Sequence, residues 1–339
     1  MSGNSIVVGI THGDVNGIGY EIITKVLTDP TFLELCTPLV YGSSKVASYH
    51  RKMMKHVSEF TFNMVKSPAQ ALAQKPNMIN ITDKEIKIEI GRSTEIAGQM
   101  SLLALEKAVE HVLNHQIDVL VTAPVNKDNI HAIDASFVGH TEYLAKMCNV
   151  KDYLMLMIAD GLRIGTVTTH CALKDVPQRI DKEIIKRKLK VLNNSLKQDF
   201  NCTSPRIAVL SLNPHAGENG MFGKEEQECI IPAVEEMFEE GVYAFGPFAS
   251  DALFGSGEYV KFDAILAMYH DQAMVPFKIL SHGEGVNYTA GLPIVRTSPA
   301  HGTAYDIAGT DSASAQSLRN AIYLACDVYR NRLNFSTAE

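Results

Sequence analysis

The chain has 339 residues, of which 46% are hydrophobic and 20% charged, and a formal net charge of −7. That length buries a large core and implies two domains, or one large unit with a cleft. An acidic chain with interspersed charges excludes non-specific nucleic-acid binding, which needs a basic surface.

The first residues, Met1–Ser5, lack a basic stretch and a long apolar run follows nowhere, so neither a leader nor a membrane span is expected. Six scattered cysteines without a CxxC read as reduced thiols in a cytoplasmic protein. Strand-like runs then alternate with amphipathic helices, the pattern of α/β layers. Ser5–Ile10 reads as a buried strand, followed by a loop holding Gly13, Gly17 and Gly19 and a helix over Tyr20–Leu27. Thr37–Tyr41 is a second strand, with Ser43 or Ser44 as the N-cap of the next helix. Gly98–Leu113 is a helix with Leu102, Leu105, Val109 and Val112 at spacings of three and four. It leads into a strand over Ile117–Thr122, and Gly139-His-Thr-Glu142 opens a further helix. Tyr153–Ile158 and Leu162–Thr169 flank Asp160-Gly161, which predicts a hairpin. Asp181–Gln198 is a helix whose lysine-rich side reads as a solvated face. A strand over Ile207–Leu212, a glutamate-rich helix over 224–240, a strand over Ala264–Met268 and a last helix near Ala313–Arg330 complete the series. The domain expectation is 1–135 with 290–339 as a cofactor-side α/β domain, and 136–289 as a second α/β domain bearing a dimer interface.

Three β-rich runs each end in a histidine: Arg163–His170, Arg206–His215 and Ala264–His270. Strand ends are where α/β proteins build sites. Three imidazoles brought to one edge hold a divalent ion with a position left open. Taken singly, each is more often a hydrogen-bonded structural residue. Glu218 and Asp271 lie close by as carboxylates able to fix an imidazole tautomer. The glycine loop Gly13–Gly19 lacks the dinucleotide spacing; Gly17 and Gly19 serve either an anion at a helix start or a tight turn. Lys278 and Arg296 are cations in apolar surroundings, either snorkelling or binding an anion. His301-Gly-Thr-Ala-Tyr-Asp306-Ile-Ala-Gly309 reads by composition as a loop and helix start.

These pieces, in order, resemble the 4-hydroxythreonine-4-phosphate dehydrogenase family of pyridoxal phosphate biosynthesis. The resemblance runs end to end: Gly13–Glu21, Thr122-Ala-Pro-Val-Asn-Lys127, Gly139–Glu142, Thr168–His170, Leu212–Glu218, Met268–Gln272, Gly285–Asn287, Gly291–Pro293 and Arg296–Ser298. His301–Gly309 is similar to the cofactor loop of isocitrate and isopropylmalate dehydrogenases. The resemblance implies their two-domain α/β fold, with the active site in the cleft between domains, and a homodimer that shares it. It implies NAD- or NADP-dependent oxidation of a secondary alcohol, then loss of CO2 from the β-keto acid to give 3-amino-2-oxopropyl phosphate. The metal ligands it implies are His170, His215 and His270, the third reaching across from the partner subunit. Substrate contacts are His140, Thr141, Lys278, Asn287 and Arg296. Asp251 lies near the substrate amine, and Lys278 serves in proton transfer. His301, Gly302 and Asp306 contact the dinucleotide. Imidazole ligands favour Zn2+, with Co2+ or Mg2+ as alternatives. The chain departs from the family pattern at Asp14-Val-Asn16, after Gly217 and at Pro299-Ala300. Rival readings are a dehydrogenase of 4-phospho-threonate or 4-phospho-erythronate, and a metal-dependent lyase, phosphatase or phosphometabolite-binding protein.

Overall fold

A computed structural model describes residues 5–55, 57 and 59–338. Met1–Asn4, part of the segment read above for a leader, and Glu339 lie outside them. The chain divides into two compact units, Met1–Cys148 with Pro293–Tyr329, and Asn149–Leu292 with Arg330–Glu339.

The first unit opens with β1 (Val7–Thr11), α1 (Gly19–Leu27), α2 (Pro30–Leu35), β2 (Thr37–Gly42) and α3 (Ser44–Arg51). β3 (Asn63–Val65), β4 (Asn77–Asn80), α4 (Glu95–Leu113), β5 (Val119–Thr122), α5 (Lys127–His131) and α6 (His140–Met147) follow. β1, β2 and β5 are nearly continuous apolar runs, buried along most of their length, as parallel strands covered on both faces require. α4 starts earlier than its apolar spacing indicates, because Thr94 caps it by accepting from the Ala97 N–H at 3.3 Å. Gly98 therefore lies inside the helix, where a Cβ would stand 2.5 Å from the Asn129 carbonyl oxygen of α5.

The second unit comprises β6 (Leu154–Ala159), β7 (Leu162–Thr166), α7 (Lys182–Gln198), β8 (Arg206–Leu210), α8 (Ile231–Glu239), β9 (Tyr243–Phe248), α9 (Ser250–Gly255), β10 (Ala264–Ala267), α10 (His270–Ser281) and β11 (Val286–Ala290). Its strands run in the order β11-β6-β7-β10-β8-β9. β6 pairs antiparallel with both β11 and β7, whereas β7, β10, β8 and β9 pair parallel. The expected hairpin joins β6 to β7. Asp160 and Gly161 both have positive φ, 40° and 84°, the backbone that a two-residue turn matching strand twist demands. α7 begins where Asp181 caps the Ile184 N–H at 2.7 Å and buries Ile185, Leu189, Leu192 and Leu196. Its lysine face is more than a solvated one: Lys182 and Lys186 each reach Glu236 of α8 at 2.6 Å.

The chain then returns to the first unit through β12 (Val295–Pro299) and enters α11 (Gln316–Ala338). β12 completes a parallel sheet of order β3-β4-β2-β1-β5-β12. All five residues of β12 are buried, although three are Arg296, Thr297 and Ser298. α11 ends in the second unit, where Arg332 donates to Asp199 at 2.7 Å, to the Tyr288 hydroxyl at 3.0 Å and to the Leu292 carbonyl at 3.1 Å.

Candidate active site

β7, β10 and β8 are neighbouring parallel strands, so their carboxyl ends share one edge of the second unit's sheet. The strands stop at Thr166, Ala267 and Leu210, and the three histidines lie on the segments just beyond. The His170 and His270 rings approach to 6.3 Å between centroids. His270 is the first residue of α10, and its Nδ1 lies 2.7 Å from Asp271 Oδ1. A carboxylate there holds Nδ1 as the protonated nitrogen and leaves Nε2 to ligate. Gln272 fastens this turn to two strand ends: its Oε1 accepts from Met268 N at 2.7 Å, and its Nε2 donates to the Ser211 carbonyl at 2.6 Å. Thr168 ties the His170 segment to the same place by donating to the Met268 carbonyl at 2.7 Å.

His215 lies just beyond the end of β8. It opens a run of left-handed residues, His215 to Asn219, and its ring meets Phe222 at 6.2 Å. The buried Glu226 carboxylate fixes the loop by accepting from the Leu212 and Asn213 N–H groups, each at 2.8 Å. Among the described residues no three His, Cys, Asp or Glu side chains stand close enough together to hold a metal ion. The donor chemistry of His170 and His270, two adjacent imidazoles with a carboxylate behind one, nonetheless fits a later divalent ion. Lys278 and Asp251 are exposed on α10 and α9. Asn287 is half-buried on β11, and its Oδ1 is buried with no hydrogen-bond partner.

The first unit gathers a second set of groups at the carboxyl ends of β5 and β12, adjacent parallel strands. Arg296 is 1% exposed, and both its Nε (3.2 Å) and Nη2 (2.6 Å) donate to Thr122 Oγ1. Burial lowers the pKa of this guanidinium to about 9, and Glu142 opposes the shift. His140 and Thr141 begin α6 behind an N-cap glycine, Gly139. Thr141 is buried, and His140 Nε2 is buried without a hydrogen-bond partner. Burial, then the charges of Arg296 and Lys127, hold the His140 imidazole neutral, well below its ordinary pKa. Lys127 opens α5, with its ammonium lowered by partial desolvation, raised by Glu142 and lowered again by Arg296. A neutral imidazole near two cations is an arrangement whose charge suits an anion.

The glycine loop of the first unit is a packed turn, which decides between its two readings. Its N–H groups are used internally, Gly17 N donating to the Asp14 carbonyl (3.1 Å) and Ile18 N to the Thr303 carbonyl (3.2 Å). A Cβ at Gly17 would stand 2.8 Å from that same Thr303 oxygen, and one at Gly19 would overlap the His12 carbonyl. The loop thereby supports the candidate dinucleotide segment. Tyr305 donates to the buried Asp14 carboxylate at 2.8 Å, as does Asn129 at 2.9 Å. Asn16, one of the departures noted above, donates to the Arg92 carbonyl and Thr94 Oγ1 and accepts from Glu89 N, so it clamps the approach to α4. In that candidate segment itself, Gly302 faces open space, Asp306 is exposed, and the buried His301 Nε2 has no hydrogen-bond partner. The segment after Ala304 is a run of turns, and the helix begins only at Gln316.

The sequence pattern of the family described as pyridoxal phosphate biosynthetic protein PdxA matches residues 34–325. The chain belongs to the PdxA family. A 4-hydroxythreonine-4-phosphate dehydrogenase of Bacteroides thetaiotaomicron is 52% identical over 333 residues, 98% of this PdxA chain and 91% of that one. A D-threonate 4-phosphate dehydrogenase of Cupriavidus necator is 38% identical over 336 residues, covering 98% and 100%. Among solved structures, a 4-hydroxythreonine-4-phosphate dehydrogenase from Klebsiella pneumoniae superposes with a TM-score of 0.81 at 33% identity, covering 96% of this chain and 100% of that one. The PdxA chain is an oxidoreductase of pyridoxal phosphate biosynthesis with the mixed α/β fold of that family. Sequence reasoning singled out neither Lys127, Gln272 nor Glu226. Lys127 and Gln272 end two of the quoted motifs, which was the available signal; Glu226 sits in a helical run of acids that carries none.

Proposed function

We propose that the protein oxidises C3 of 4-hydroxythreonine 4-phosphate with NAD or NADP and releases CO2, forming 3-amino-2-oxopropyl phosphate. The observation that carries this reading is the buried Arg296–Thr122–His140 cluster at a strand edge of a PdxA chain: so costly a buried cation is retained for an anionic substrate group. Arg296 and Thr141 hold that group, with His140 neutral beside them. Asn287, whose Oδ1 has no partner, orients a substrate donor. Asp251 receives the amine and Lys278 moves a proton at the reacting oxygen; both are exposed charges with no polar partner among the described residues.

His170 and His270, with His215, would hold a divalent ion, of which Zn2+ suits imidazole ligands best. Such an ion would supply Lewis-acid stabilisation of the charge that develops during oxidation and loss of CO2. His301, Gly302 and Asp306 would hold the nicotinamide dinucleotide, which would supply the hydride acceptor for the oxidation. The lack, among the described residues, of three ligating side chains close together favours a ligand set completed in a homodimer. The exposed Val275 and Ile279, which flank Lys278 on α10, favour a second copy covering that face. The cytoplasm is the proposed compartment.

Metal content and turnover of His170→Ala, His215→Ala and His270→Ala test this reading. Each substitution is expected to lower metal stoichiometry and abolish formation of reduced nicotinamide. Wild-type metal content and rate in any of them would remove that histidine from the site. D-threonate 4-phosphate, the substrate named for the Cupriavidus relative, is the comparison compound.

A further inference from the structure

We infer that Lys127 is a further substrate-binding residue of this site, its ammonium joining Arg296 in receiving an anionic group of the substrate. The inference rests on the dehydrogenase reading above and adds to it a cation outside the set assigned there. Lys127 opens α5, shortly after β5 ends at Thr122, the residue on which Arg296 is docked. Its position over the start of α6 is fixed by contact: a Cβ at Gly139 would lie 3.5 Å from both Lys127 Cε and Nζ, and 3.0 Å from Glu142 Oε2. Gly139 is thus the space into which the lysine stem folds, with the carboxylate of Glu142 on the same side. The residue as a whole is exposed, although its ammonium is partly desolvated. It also lies close enough to His140 for its charge, with that of Arg296, to press on the imidazole. The buried, unpartnered His140 Nε2, within reach of both charges, marks a polar position that a ligand atom would satisfy.

The chemistry follows from charge. With Glu142 ionised and His140 neutral, Arg296 and Lys127 leave the cluster with a net positive charge. Arg296, buried and forked onto Thr122, offers fixed geometry, while Lys127 adds a compact ammonium charge. Such a pair suits a phosphate or carboxylate that enters from solvent and is then held.

The test compares Lys127→Met, Lys127→Arg and the control Lys75→Met, which removes an exposed lysine of the same unit. Two readouts are used: KM and kcat for 4-hydroxythreonine 4-phosphate, and the rise in Tm caused by each of two probes, inorganic phosphate and threonine, without substrate. Losing one charge-assisted hydrogen bond should raise KM by roughly 10- to 100-fold in Lys127→Met, with kcat much less affected. The phosphate-induced rise in Tm should shrink, Lys127→Arg should recover most of both effects, and Lys75→Met should match wild type. Carboxylate in place of phosphate as the bound group would show as a raised KM with an unchanged phosphate response and a weakened response to threonine. A wild-type KM together with wild-type responses to both probes in Lys127→Met would overturn the inference. If the wild-type protein responds to the probes yet turns over no 4-hydroxythreonine 4-phosphate, the reaction assignment fails while Lys127 is still read by binding.

Discussion

Replacing Arg296 with Met should separate stability from function, because the residue is costly to bury. Its guanidinium is 1% exposed, and burial lowers its pKa from the ordinary guanidinium value to about 9. At ~1.36 kcal/mol per pKa unit, that difference corresponds to about 5 kcal/mol disfavouring the charged form in the folded state. The sign is that of a depressed base. The penalty grows as pH falls below the unfolded value and is complete below about 9, so at neutral pH it is present in full. Two hydrogen bonds to Thr122 Oγ1 offset part of it. Met fills a similar volume without the charge, so unfolding free energy should stay level or rise by ~1–4 kcal/mol. Substrate capture should suffer, because an anion would lose its buried partner. A loss of ~2–5 kcal/mol is roughly a 30- to 4000-fold fall in kcat/KM. Urea denaturation followed by circular dichroism gives the first quantity, and initial rates of nicotinamide reduction give the second. A destabilised variant with wild-type kcat/KM would refute the reasoning and make Arg296 a structural residue.

Other parts of the molecule give predictions of their own. Arg332→Ala leaves Asp199 buried, the two side chains being 13% and 2% exposed, and should cost about 3 kcal/mol in denaturant unfolding because the Ser195 and Tyr288 hydroxyls still donate to Asp199. His12 is fully buried against Tyr20, and burial lowers its pKa from 6.5 to about 4. The unfolded chain therefore binds a proton that the native one refuses, so stability should fall by up to ~3 kcal/mol as pH drops through that window. His12→Phe should flatten this stretch of the pH–stability curve, and an unchanged slope would assign it to other groups. Gly161→Ala places a side chain at φ 84° with no neighbouring atom to clash, so thermal unfolding should show only the left-handed backbone cost of ~1–2 kcal/mol.

Much of this architecture is legible in the sequence where local chemistry and global fold agree. Asp160-Gly161 specifies its turn, Asp181 its helix start, and the apolar spacing of α4 and α7 their buried faces. The runs ending in His170, His215 and His270 do lead to one sheet edge, because β7, β10 and β8 are neighbours. Legibility fails where polar residues are buried for use. The sequence reading assigns no strand to β12, yet Arg296, Thr297 and Ser298 lie in a fully buried strand, where Arg296 donates to Thr122 and Thr297 to the Ala321 carbonyl. α10 is obscured by Pro276 within it and by a first turn whose Gln272 serves strand ends rather than the helix. The fine position of His215 was beyond reach, because a run of positive φ values at non-glycine residues has no signature in composition.

The most direct test of the assigned reaction is the initial rate of nicotinamide reduction by the metal-replete protein, with 4-hydroxythreonine 4-phosphate and D-threonate 4-phosphate assayed side by side using NAD and NADP. The account predicts turnover with the first substrate at the higher kcat/KM, lost on chelation. Absence of reduced nicotinamide from 4-hydroxythreonine 4-phosphate with either dinucleotide, or a clear preference for D-threonate 4-phosphate, would contradict it.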